Sequence, residues 1–287
     1  TSKTPHVVHK HTSYIFSVRR SYLQLLFTAI GLPFLPTFND YQLKVKTNID
    51  QKNQITVISL GSLDRLTLNT GIENPDEGQE YILGQIPVNN QWSYTFGTVY
   101  KHFLDDGYHT FVYSRNMLNN EFYKYPDNNE ELDRSFDYNS RETENKLRYE
   151  LSKRIDGLKY SIGANFEQAS YSNITSQKIF INNNLIDFNY NTSLSLYKFG
   201  LSSQASKTFL NDLLTVTMGL RFDGNSYNEK MRNPLKQFSP RFSMSYSLSD
   251  KVSLNAGSGR YFQLPAYTTL GYRNNSGDFI KTFFKII

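Results

Sequence analysis

The chain has 287 residues, enough for one large β domain or two ordinary ones, and its 31 basic and 26 acidic side chains leave a net charge of +5. That charge is scattered, which argues against a nucleic-acid partner, and the lack of cysteine excludes disulfides and thiolate metal sites. Aromatic residues make up 15% although only 38% of residues are hydrophobic and mean hydropathy is −0.53, a balance that fits amphipathic strands joined by polar loops.

Residues 1–12, with His6, His9 and His11, read as a disordered leader rather than a metal site. Strand-like patterning begins at residue 13. "LQLLFTAIGLPFLPTF" (23–38) is the most apolar run, but Gly31, Pro33 and Pro36 interrupt it before the roughly 18 residues a membrane helix needs. A short helix followed by a loop is expected there. "YQLKVKTNID" then alternates Tyr41, Leu43 and Val45 with Gln42, Lys44 and Lys46, the period of a strand with one apolar and one polar face. "QWSYTFGTVY", "LKYSIGANFE" and "LLTVTMGLRFD" repeat the pattern, and the whole chain yields about eleven such strands. Tight turns stand at 51–53, 104–107, 155–157, 210–212 and 248–251. Longer polar connections, including "SNITSQKIFINNN" (172–184), stand between them. In an up-and-down antiparallel sheet this alternation puts all tight turns at one end and all long loops at the other.

"SPRFSMSYSLSDKVSLNAG" (239–257) is the clearest hairpin: Phe242, Met244, Tyr246, Leu248, Val252 and Leu254 share one face, and Arg241 and a column of serines the other. Alternation alone leaves two occupants for the apolar face, lipid or the second sheet of a soluble sandwich. Three features favour lipid. The loops are unequal, the strands run about ten to fourteen residues, beyond the ordinary five or six, and aromatic residues such as Trp92, Tyr94, Tyr171 and Tyr197 recur near strand ends. On that reading the six apolar residues face lipid, and Lys44, Lys46, Lys159, Glu167, Arg221 and Arg241 face a wet lumen. "GSG" (257–259) is a candidate bulge that leaves the side of Arg260 open.

Several segments, in order, resemble the barrel of TonB-dependent outer-membrane receptors: "SVRRSYLQLLFTAIGLPFLPTFNDYQLK", "QIPVNNQWSYTFGTVYKHF", "SRNMLNNEFYKY", "NPLKQFSPRFSMSY" and "SGRYFQLPAYTTLGY". They are most similar to the Bacteroides-type, SusC-like group with a carboxypeptidase-regulatory-like leader. The resemblance implies an all-β, antiparallel up-and-down transmembrane barrel, 22-stranded and plugged when complete. Residues 13–287 would then be about half of it, an internal fragment without plug domain or TonB box. It further implies the bacterial outer membrane, membrane lipid and TonB (through the plug) as partners, and a small nutrient ligand: a siderophore complex, haem, cobalamin or a glycan. A surface lipoprotein is a further partner on the same ground. Lumen-facing Arg221 and Arg241 would be available to a plug, and the loop aromatics Tyr81, Phe122, Tyr123, Phe180 and Phe188 to a ligand. The alternatives are a binding or adhesion module built as a β-sandwich, and a passive porin-like barrel.

No phosphate loop, dinucleotide fingerprint or GxSxG occurs, so no enzymatic role, cofactor or metal is expected. His102 and His109 read as solvated turn residues, and "NPDEGQE" and "PDNNEELD" as solvated acidic loops without calcium-loop spacing.

Overall fold

The computed structural model describes residues 7–9, 11–181, 184–273 and 279. All twelve strands form a single antiparallel sheet in which each pairs only with its neighbours in sequence. β1 (Val7–His9) is a three-residue strand. Eleven longer ones follow: β2 (Thr12–Arg20), β3 (Phe34–Asn48), β4 (Asn53–Leu68), β5 (Val88–Phe103), β6 (Gly107–Lys124), β7 (Phe136–Ile155), β8 (Leu158–Ile181), β9 (Asn184–Phe209), β10 (Leu214–Asn225), β11 (Phe238–Ser249) and β12 (Val252–Gly259). Part of the expected leader is therefore strand, because Val7–His9 pair with Thr12–Tyr14. His6 lies outside the described residues.

The tight turns all fall at one end. Asp156 and Gly157 adopt positive φ (47° and 77°) between the paired residues Ile155 and Leu158. This two-residue loop suits the right-handed strand twist and favours Asp-Gly. At the neighbouring turn, a Cβ on Gly107 would lie 2.1 Å from the Ser152 carbonyl oxygen and 2.8 Å from the Lys153 Cα, so β6 can approach β7 here only as glycine. Gly107→Val is expected to cost about 2–3 kcal/mol, seen as a lower urea midpoint in micelles. Gly97→Ala, whose Cβ would meet nothing closer than 3.6 Å, should stay within about 1 kcal/mol.

The opposite end carries the longer connections. α1 (Leu23–Ala29) precedes β3, which begins earlier than the expected loop allows. Pro36 sits in β3 opposite Leu66, beyond the last pair with β2 at Asn39, where a missing N–H breaks no ladder. α2 (Glu77–Gln85) begins within the acidic "NPDEGQE" segment (74–80). Asp76 caps it, accepting from the Gln79 N–H while the Gln79 side chain accepts from the Asp76 N–H. The largest departure is at 172–184: this stretch continues the ladder, with Ser172 opposite Ser193 and Ile181 opposite Asn184. Its composition is mostly polar, and Ile174 and Ile179 fall on opposite faces, so neither composition nor period marks it as strand. β8 and β9 reach 24 and 26 residues, well past the expected ten to fourteen.

The registers sort most side chains by polarity, although Arg115 and Asn145 share a face with Phe96. One face carries Phe16, Leu43, Val57, Phe96, Phe111, Leu147, Phe166, Leu201, Met218 and Phe242; the other carries the polar column. Most of the apolar column is exposed, and only seven apolar residues are buried among the described ones. The accessible surface is 19549 Å², against roughly 12,600 Å² for a compact monomer of 33.3 kDa. No second sheet covers the apolar face among the described residues, which removes the sandwich. The register shift between β11 and β12 falls at Ser247/Ser249 rather than in "GSG".

Candidate functional site: the polar face and the segment folded across it

Strand order brings alternating charges side by side on the polar face. Lys146 of β7 lies opposite Glu167 of β8, which lies opposite Lys198 of β9. Lys146 pairs with Glu144 at 2.5 Å and Glu167 at 3.7 Å; Lys198 pairs with Glu167 and, at 3.6 Å, with Glu144. Cross-strand opposites of opposite charge support a sheet, and these side chains are mostly shielded from water, so screening weakens them less than surface pairs.

The chain after β12 folds back over this network. Tyr267 donates its hydroxyl to Glu144 at 2.5 Å, with Glu167 at 3.3 Å, and accepts from Lys198 Nζ at 2.7 Å. Burial pushes the Tyr267 phenol far up, and the two carboxylates push it further, so it stays protonated as the donor between them. The short helix α4 (Tyr267–Leu270) drives Leu270 fully out of water among Ala169, Tyr171, Leu194, Leu196 and Tyr227. Tyr227 and Thr192 hydroxyls donate to the Leu270 and Gly271 carbonyls at 3.2 and 2.6 Å. Tyr171, expected in an interfacial girdle, is instead buried on the polar face beneath this segment.

Beside the network lies a cavity of about 550 Å³ between residues 262–264 and strands β8 to β11. Arg221 holds Asp223 through two hydrogen bonds of 2.6 and 2.8 Å on its wall. Arg241 also lines it, with its guanidinium over the Tyr261 ring at 4.6 Å.

The registers place Lys44, Lys46, Lys159, Glu167, Arg221 and Arg241 on this polar face, and Phe242, Met244, Tyr246, Val252 and Leu254 on the opposite one. Leu248, expected with the latter, falls at the register shift between Ser247 and Ser249, where strict alternation breaks. Only Glu167, Arg221 and Arg241 meet at the cavity. The loop aromatics are spread out. Tyr81 is exposed on α2, which Lys124 ties to β6 by donating to the Leu83 and Ile86 carbonyls. Phe122 packs on Tyr138 and Tyr123 on Tyr125; as consecutive strand residues they point to opposite faces. Phe188 is half exposed in β9, and the Phe180 side chain lies outside the described residues. His102 and His109 are not turn residues: they face each other across β5 and β6, with Nδ1 atoms 2.8 Å from Asn53 Oδ1 and 2.9 Å from the Tyr149 hydroxyl.

Sequence reasoning missed Tyr267 and Leu270. Leu264, Tyr267 and Leu270 recur every third residue, spacing that lines up one side of a helical turn and marks a segment with something to bury.

Among solved structures, the copper transporter OprC superposes with a TM-score of 0.65 at 13% identity, over 92% of this chain and 43% of that one. The ferric enterobactin receptor PfeA of Pseudomonas aeruginosa (a G324V mutant) gives 0.61 at 15%, over 92% and 41%. The siderophore receptor PirA of Pseudomonas aeruginosa gives 0.59 at 12%, over 94% and 43%. The chain thus spans less than half the length of these structures, which share its fold. No curated protein matches the sequence. Residues 30–283 match the family described as TonB dependent receptor-like, beta-barrel, and the chain belongs to that family.

Proposed function

We propose that this sheet is part of the wall of an energised nutrient receptor in the bacterial outer membrane. Its polar face lines the lumen and its apolar face meets lipid. The carrying observation is the sorting of side chains: exposed apolar columns along eleven long strands of one sheet, backed by a continuous polar face. In the complete receptor the outer loops would capture a small nutrient and TonB, acting through a plug, would open the lumen to it. A siderophore complex, haem, cobalamin or a glycan are the candidate cargoes. The sequence resemblance supports a receptor of the Bacteroides-type, SusC-like group, with a surface lipoprotein as a further partner. On the lumen wall, Lys44, Lys46 and Lys159 are the cations this reading offers to a plug, and Tyr81, Phe122 and Phe188 the aromatics it offers to a ligand.

The test is expression of the chain with and without detergent, followed by circular dichroism and size exclusion. Aggregation in buffer, with β signal recovered only in micelles, is expected, because an open sheet with two unpaired edges and a bare apolar face has no stable state in water. A monodisperse folded monomer in plain buffer would overturn the assignment.

A further inference from the structure

The cavity beside Tyr267 carries more positive charge than its acids can answer. Of the five cations on its lining, Lys198 is held by Glu144 and Glu167, and Arg221 by Asp223. Lys230, Lys236 and Arg241 have no acidic partner among the described residues. They come from three places that the fold brings together: the short helix α3 (Glu229–Arg232), the 3-10 turn Pro234–Gln237, and β11. Asn228 and Asn233 fix the two turns by accepting from the Met231 and Leu235 N–H groups, so the cations stand on a set backbone. The same lining has apolar members, Met231 next to Lys230 on α3 and Phe262 and Leu264 in the segment after β12. A concave wall of low dielectric focuses the field of unanswered charges into the space it encloses.

We infer that this cavity is a binding site for a small organic anion, with a carboxylate or phosphate held by Lys230, Lys236 and Arg241 and an apolar body against Met231, Phe262 and Leu264. A volume of about 550 Å³ falls within the usual range for small-molecule sites. Arginine supplies a planar fork for an anion and the lysines supply point charges. The inference rests on the receptor reading above and deepens it, by giving that receptor a negatively charged cargo class.

The probe is phenyl phosphate, measured by equilibrium dialysis against the full chain in micelles at physiological salt, with benzylamine as its cationic counterpart and empty micelles as blank. Phenyl phosphate should bind saturably and benzylamine should not. The combined variant K230Q/K236Q/R241Q should bind roughly tenfold or more weakly, as losing charge-assisted hydrogen bonds requires. The variant K52Q/K101Q/K251Q, which removes the same net charge at the tight-turn end of the sheet, should bind as the parent does. All three altered residues of the first variant are exposed, so its dichroism should match the parent's. No saturable binding, equal binding of both probes, or equal losses in both variants would overturn the inference. So would binding by this chain that disappears in a longer receptor carrying it, which would give the cations to an acidic side chain of the adjoining chain. A chain that needs micelles yet binds no phenyl phosphate sinks this inference alone; a chain folded in plain buffer sinks the receptor reading.

Discussion

Replacing Met244 with arginine is expected to remove about 2–4 kcal/mol of stability in lipid vesicles, while Ser243→Arg, one residue away in the same strand, changes it by less than about 1 kcal/mol. The two sit at the same depth of β11, five and six residues before the strand ends at Ser249, and differ only in face. Met244 pairs with Val216 and Ala256 on the apolar side, and Ser243 with Thr217 and Gly257 on the polar side. Arginine at Met244 would push a guanidinium into hydrocarbon; at Ser243 it would join a wet wall. Urea titration in vesicles reads both variants. Equal losses would mean that the apolar column meets something other than lipid.

Leu270→Ala should cost about 2–5 kcal/mol of local stability, since Leu270 is fully buried and Ala169, Tyr171, Leu194 and Leu196 around it are anchored in strands that cannot collapse onto the gap. The loss should stay in the folded-back segment, because strand ladders hold the sheet without it. The sensitive readout is hydrogen exchange at the amides of Leu270 and Gly271, which donate to the Ala266 and Tyr267 carbonyls. They should exchange about thirtyfold faster or more, with β8 and β9 unchanged. Leu235→Ala, at 74% exposure, is the control and should leave exchange as it was. Unchanged exchange in Leu270→Ala would mean the segment is not held by its buried leucine.

Much of the sheet was legible in the residues. Alternation over 41–46 and 239–247 groups the side chains as the registers do, and dipeptides such as Asp156-Gly157 mark turns, because both signals are local. Strand length was not legible at 172–184, where composition is polar, no period-2 column stands out, and the deciding fact is a partner strand on the far side of residues 182–183. The charged network was hidden for the same reason. Glu144, Glu167 and Lys198 are ordinary polar-face residues one strand at a time and become a cluster only when two registers align three strands. Tyr171 was misplaced because an aromatic near a strand end satisfies a girdle and a buried packing site equally well, and only the segment lying on it decides between them.

The length of the β8–β9 pair has a mechanical meaning. These strands outrun β10 by 12 and 14 residues, about 40 Å of extended chain, and both pass without interruption through the positions of Glu167 and Lys198. The pair is a lever whose long arm projects from the loop end of the sheet and whose short arm carries two of the charges that hold Tyr267. Phe188 stands ten residues along β9 from Lys198 and its partner Gln177 ten along β8 from Glu167, with every position between them paired.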